Sequence, residues 1–226
     1  MKSLAKILFF IPIILLAFKT APKKIRVVFF GDSITQQGVQ PNGYIVKLDS
    51  IVKQSRLADS VELIGAGIGG NKIYDLYLRM EEDVLNKKPD VVIIYVGIND
   101  VWHKASSGTG TDADKYEKFY RAIIKKFQEN NIKVVVCTPS VIGERNDNSN
   151  QQDGDLNQYS NIIRKLAKEL SLPVCDLREA FLGYLKTNNT ANVEKGILTV
   201  DRVHLNEKGN LLVAGEMWKV IRNMVK

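Results

Sequence analysis

Val91-Val92-Ile93-Ile94-Tyr95-Val96 is an unbroken apolar run, with Pro89 just before it and Gly97 just after. A strand with one wet face alternates apolar and polar side chains. This one is apolar at odd and even positions alike, so both faces of its sheet must be covered. The run at 132–137, which ends Val134-Val135-Val136-Cys137, reads the same way. Three further short runs rich in apolar residues lie at 25–30, 61–64 and 173–175. The stretches 44–57, 73–85, 116–127, 159–170 and 211–224 carry apolar residues at helical spacing, as in Ile45, Leu48, Ile51 and Val52. Strands alternating with helices predict an α/β fold: a three-layer α/β/α sandwich around a five-stranded parallel sheet.

In such a fold, ligands gather beyond the carboxyl ends of the strands. Gly31-Asp32-Ser33-Ile34-Thr35 follows the first strand, and Gly65-Ala66-Gly67-Ile68-Gly69-Gly70-Asn71 comes at the end of the second. Gly97-Ile98-Asn99-Asp100 follows the third, and Asp201-Arg202-Val203-His204 precedes the last helix. A serine hydroxyl attacks carbonyl carbon poorly until a base takes its proton. Histidine suits that task because imidazole titrates near neutrality. Asp201, three residues before His204, is placed to hold the other ring nitrogen, as in a Ser-His-Asp triad. The backbone N–H groups of Ser33 and Gly70, with the Asn99 amide, are candidate donors to the resulting oxyanion.

These four blocks resemble those of the SGNH, or GDSL esterase/lipase, family. Its Ser, Gly, Asn and His map in order onto Ser33, Gly70, Asn99 and His204. Ile34 replaces the Leu of the family's short name, and Gly65 stands where many members carry Asn. The resemblance spans about residue 25 to the C-terminus and implies a flavodoxin-like sandwich. It also implies a serine esterase that cleaves carboxylic esters through an acyl-enzyme. The Gly-x-Ser-x-Gly elbow of α/β-hydrolases is absent, since Thr35 fills its last position.

Each block has a plainer reading on its own. Ser33 alone reads as a helix N-cap, Asn99-Asp100 as a turn, and Asp32 as an acceptor for loop N–H groups. Gly65-x-Gly67-x-x-Gly70 resembles a nucleotide loop but lacks its context. Together the blocks favour the nucleophile. Trp102 and His103, just beyond Asn99, are expected at the cleft as substrate-binding residues. Two histidines and two strand cysteines make no ligand spacing, so no metal site and no cofactor is expected. Cys137 and Cys175 read as buried thiols, because neighbouring strands often aim a pair badly for a disulfide.

The net charge is +7, but residues 1–21 supply three lysines and no acid, leaving +4 spread along the rest. That is no basic stripe, and nucleic acid is not an expected partner. Lys2 and Lys6 followed by an apolar run at 7–18 read as a signal peptide over 1–21, too short for a comfortable membrane span. The expected arrangement is export of a hydrolase domain at 22–226, with no stable membrane span after processing. The expected partner is a small-molecule or glycan ester. The loops at 104–114 and 139–155 are rich in Ser, Thr, Gly, Asn and Asp, and no apolar groove for a long acyl chain is evident. Short acyl groups are therefore expected. A narrower reading is a carbohydrate O-deacetylase. A reading of another class is a non-catalytic carbohydrate-binding module on the same scaffold, against which the intact Ser33, Asn99, Asp201 and His204 argue.

Overall fold

The structure is a computed structural model that describes residues 23–225. The expected signal peptide at 1–21 lies outside the described residues. Five parallel strands form one sheet: β1 (Ile25–Gly31), β2 (Val61–Gly67), β3 (Val91–Tyr95), β4 (Lys133–Cys137) and β5 (Val174–Cys175), in the order β2-β1-β3-β4-β5. Among the described residues, eight α-helices connect and cover them: α1 (Ser33–Gly38), α2 (Tyr44–Gln54), α3 (Ile73–Asp83), α4 (Ile98–Ser107), α5 (Ala113–Glu129), α6 (Asp153–Leu170), α7 (Leu177–Asn188) and α8 (Glu207–Ile221). Helix α2 packs on α8, and α8 on α7; on the other side α3 packs on α5, and α5 on α6. The expected three-layer sandwich is therefore present.

Every residue of β3 is buried, as its two-faced apolar pattern requires. Helix α5 turns Tyr116, Tyr120, Ile123, Ile124 and Phe127 inward, one stripe at helical spacing. Fully burying one such aliphatic side chain contributes ~1.5–3 kcal/mol, so these stripes hold the layers together. Cys137 and Cys175 sit opposite each other on β4 and β5, buried, with free thiols.

Three helices were not among those expected. Helix α1 is only six residues long, too short to show a period. Helix α4 begins in the Gly-Ile-Asn-Asp block, which reads locally as a turn. It runs on to Ser107, so the supposed 104–114 loop is helical over its first four residues. Helix α7 buries Leu177, Phe181 and Leu185 but carries Gly183 on its exposed side. The 139–155 loop also departs from expectation: residues 139–144 are buried, and only the stretch beyond them is a surface rim.

Candidate active site

The chain leaves β1 for β2 on one side, then returns past β1 to β3. At that reversal the connections after β1 and β3 part, leaving a crevice at their carboxyl ends. Gly31 and Tyr95 are register partners there, so the residues that follow them open onto the same crevice. Ser33 is the first residue of α1, and Asn99 is the second of α4. Asp32 caps α1 by accepting the Ile34 N–H at 3.0 Å, the acceptor role expected of it. Burial pushes its carboxyl up to about 6, against the pull of that N–H and the His204 charge. Asp100, wholly buried beside Asn99, accepts the Ile73 N–H at 3.1 Å, and burial pushes it up to about 7.

Ser33 Oγ lies 2.9 Å from His204 Nε2, and His204 Nδ1 lies 2.7 Å from Asp201 Oδ2. An ionised carboxylate can only accept, so Nδ1 carries the proton and Nε2 offers its lone pair to the hydroxyl. Partial burial alone would raise the Asp201 carboxyl. The His204 imidazole and the His204 and Val203 N–H groups outweigh it and hold the carboxyl below its ordinary value. Its Oδ1 accepts both N–H groups, at 2.8 and 3.1 Å, while Oδ2 faces the ring. One side chain thus shapes the turn and aims the imidazole.

Gly70 has φ +76°, a left-handed conformation that glycine adopts freely, and a Cβ there would meet nothing within 4 Å. The space above it is open to an approaching ligand. The Ser33 and Gly70 N–H groups have no partner among the described residues. Buried Asn99 donates one amide hydrogen to the Asn71 carbonyl at 3.1 Å, which anchors the amide and leaves its second hydrogen available. Trp102 stands edge-on to His204, ring centroids 6.4 Å apart, and 5.9 Å from His103. Burial, helped by the Lys72 charge, lowers the His103 pKa.

Three residues in the surroundings were not singled out from the sequence. Arg79 on α3 donates to the Gly31 carbonyl at 2.7 Å, to Ala66 at 3.2 Å and to the Asn71 side chain at 2.7 Å, over the Phe30 ring. It ties the end of β1 to the Gly70-Asn71 turn. Lys72, buried in that turn, donates to the Gly70 carbonyl at 3.3 Å. Glu144 is wholly buried, and its carboxylate accepts the N–H groups of Ile197, Leu198 and Thr199 at 2.7, 2.8 and 2.5 Å. Those residues lead directly into the Asp201–His204 turn. Arg79 repeats a helix-surface pattern and Glu144 opens a polar run, so neither carries a local signal of its task.

The Asp201–His204 turn is otherwise sparsely supported. It joins α7 to α8 and has one isolated bridge, Thr199 with Leu205. Arg202 adopts φ +88°, a conformation that costs a non-glycine residue ~1–3 kcal/mol and persists only where its surroundings impose it. Its carbonyl accepts the Gly143 N–H at 2.9 Å, and its guanidinium pairs with Glu194 at 2.7 Å.

Comparison with known proteins gives a consistent picture. Residues 29–212 match the family model described as the GDSL-like lipase/acylhydrolase family. An acetylxylan esterase of Geobacillus stearothermophilus is 29% identical over 207 residues, covering 84% of this chain and 90% of its own. A crystal structure of an acetyl xylan esterase is 63% identical, with a TM-score of 0.85, covering 86% of this chain and 98% of its own. An uncharacterized lipoprotein of Bacillus subtilis (strain 168) is 26% identical over 228 residues, covering 90% and 94%.

Proposed function

The chain belongs to the GDSL-like lipase/acylhydrolase family and is a serine ester hydrolase, and from that premise we propose that Ser33 is its nucleophile, His204 its general base and acid, and Asp201 the carboxylate that orients the imidazole. The observation that carries the assignment is the unbroken line of contacts, 2.9 Å from Ser33 to His204 and 2.7 Å from His204 to Asp201. As Ser33 Oγ attacks the ester carbon, its proton passes to Nε2. The Ser33 and Gly70 N–H groups and the Asn99 amide receive the negative oxygen. The intermediate collapses, the bond to the alcohol oxygen breaks, and His204 returns the proton to that oxygen. Water then attacks the acyl-enzyme, again through His204, freeing the acid and restoring the serine.

The substrate class is O-acetylated carbohydrate. The likeness to acetylxylan esterases supports it, and so does the polar rim formed by the outer part of the 139–155 loop. A long acyl chain would add ~0.8 kcal/mol per CH₂ only if an apolar groove received it. The test compares kcat/KM for acetyl, butyryl, octanoyl and palmitoyl esters of one alcohol, beside acetate release from acetylated xylo-oligosaccharides. A maximum at acetyl, with acetate released from the glycan, is expected. A maximum at octanoyl or beyond overturns the substrate class. A fluorophosphonate probe should label Ser33, and label on another serine would overturn the nucleophile.

Export belongs to the same proposal. The basic and apolar residues at 2–18 support it, as does the Bacillus relative described as a lipoprotein. N-terminal sequencing of protein recovered outside the cytoplasm should begin near residue 22; an intact Met1 there would overturn cleavage.

A further inference from the structure

Beside the His204 turn the surface folds into a cleft of about 370 Å³, lined by Trp102, Arg145, Asn150, Gln152, Glu194 and Arg202 among others. That size lies within the range of small-ligand sites. Trp102 belongs both to this cleft and, edge-on, to the surroundings of His204. Arg202 lies in the same turn as His204. The alcohol oxygen released by the enzyme must come within hydrogen-bond reach of His204, which protonates it. The remainder of the alcohol portion therefore lies near Trp102 and the mouth of this cleft.

Most of these lining side chains form hydrogen bonds, so the cleft suits a hydroxyl-rich group better than an acyl chain. Its charges do not cancel. Arg202 and Glu194 neutralise each other at 2.7 Å. The exposed Arg145 guanidinium makes no ion pair or hydrogen bond among the described residues. Its backbone is clamped on both sides by one residue. Arg145 N–H donates to Asn150 Oδ1 at 3.3 Å, and Asn150 Nδ2 donates to the Arg145 carbonyl at 2.6 Å. Asn150 also donates to Asp153 at 3.0 Å, and Asp153 pairs with buried Arg178 at 2.7 Å. Asp147, on the same loop, is already held by Asn192 at 2.6 Å and the Ser149 N–H at 3.0 Å. A guanidinium that hydrogen-bonds no protein group, with Glu194 of the Arg202 pair acting on it only at longer range, thus stands on a fixed stem at the cleft. A planar guanidinium fits a carboxylate through two parallel hydrogen bonds.

We infer that this cleft is the subsite for the alcohol portion and that Arg145 recognises a carboxylate on it, so the substrate is an acidic, uronate-bearing acetylated glycan. The inference rests on the carbohydrate reading above and narrows it.

The experiment measures kcat/KM for acetate release from two acetylated xylo-oligosaccharides of equal length, one carrying a uronic acid branch and one without it, with an aryl acetate alongside. The wild type should favour the acidic glycan about five- to tenfold at low salt, and less at high salt, as a charge-assisted contact at an exposed site would. Arg145→Gln should abolish the preference, and Arg145→Lys should keep part of it. Lys125→Gln, which removes an exposed charge on α5, should leave the ratio intact. A thermal melt confirms that each variant is folded. Equal wild-type rates on the two glycans, or a preference that survives in folded Arg145→Gln, would overturn the inference while leaving the carbohydrate reading standing. Turnover of the aryl acetate with no acetate from either glycan would overturn both.

Discussion

Ser33 and His204 lie 171 residues apart and are held in place by opposite chemistries. Ser33 follows β1, a strand hydrogen-bonded on both sides and buried from Val27 to Phe30. Apolar packing and a regular ladder place it. His204 sits on a stretch between two helices with one isolated bridge for regular structure. Glu144, Asn189 and the Arg202–Glu194 pair hold that stretch by polar contacts; buried Asn189 donates to the Glu144 carbonyl at 2.7 Å and to Val193 at 2.8 Å. The two halves should therefore fail differently. Apolar packing degrades by increments, because a smaller side chain leaves a cavity that partly relaxes. A buried polar network fails abruptly, because each lost member strands its partners without hydrogen bonds.

The most severe test removes one proposed reacting group from each half. Ser33→Ala and His204→Ala should each lower turnover by ~10⁴-fold or more, since such groups act as a unit. His103→Ala should cost far less. Steady-state kinetics on one acetyl ester decides this, and a larger loss at His103 would move the base away from the Asp201–His204 turn.

Next in size is a change in what supports each half. Glu144→Ala strands three N–H groups, two of them buried, and should destabilise the fold by about 2 kcal/mol or more, at ~1–3 kcal/mol for each buried one. Ile93→Val in the sheet removes one methylene from the opposite kind of support and should cost ~0.5–1.5 kcal/mol. Among folded molecules, Glu144→Ala should lower kcat more than it raises KM, because the imidazole loses its aim while the cleft stays open. Denaturant titration with parallel kinetics makes the comparison. Equal costs for the two substitutions would erase the proposed contrast.

The gentlest test is pH. On the Ser33 side, Asp32 and Asp100 are raised to about 6 and about 7 by burial. The folded state then binds more protons than the unfolded chain, and their contribution to stability falls as pH rises from about 4 to about 7. On the His204 side Asp201 is lowered. Its contribution is present above the unfolded carboxylate pKa and fades as pH falls through its folded value. Asp100→Asn should therefore flatten the decline between about pH 4 and 7, while Asp201→Asn should leave that decline and remove stability at neutral pH instead. Urea midpoints at each pH measure both, and a decline unchanged in Asp100→Asn would exclude that carboxyl as its source.

The same contrast explains how much the sequence disclosed. The sheet was legible because a strand buried on both faces must be apolar at successive positions, as 91–96 and 134–137 are. Helices with long stripes were legible for the same reason. The blocks that hold the candidates Ser33, Gly70, Asn99, Asp201 and His204 stood out because each is short and lies beyond a strand or before a helix. Helix α4 was not legible, since the block that starts it resembles a turn. Glu144 and Arg79 were not, because an inward-turned polar side chain is recognisable only through the backbone groups it meets, and those are distant in sequence: Glu144 serves N–H groups 53 to 55 residues away, and Arg79 reaches a carbonyl 48 residues away.

Trp102 touches both the His204 ring and the cleft, and the chain has only one other tryptophan, Trp218 on α8. Indole emission responds to the loss of water at its edge. With Trp218→Phe removing the second emitter, fluorescence from the remaining indole becomes a direct optical record of the site. It would report filling of the cleft as glycan is added, without turnover and without an attached dye.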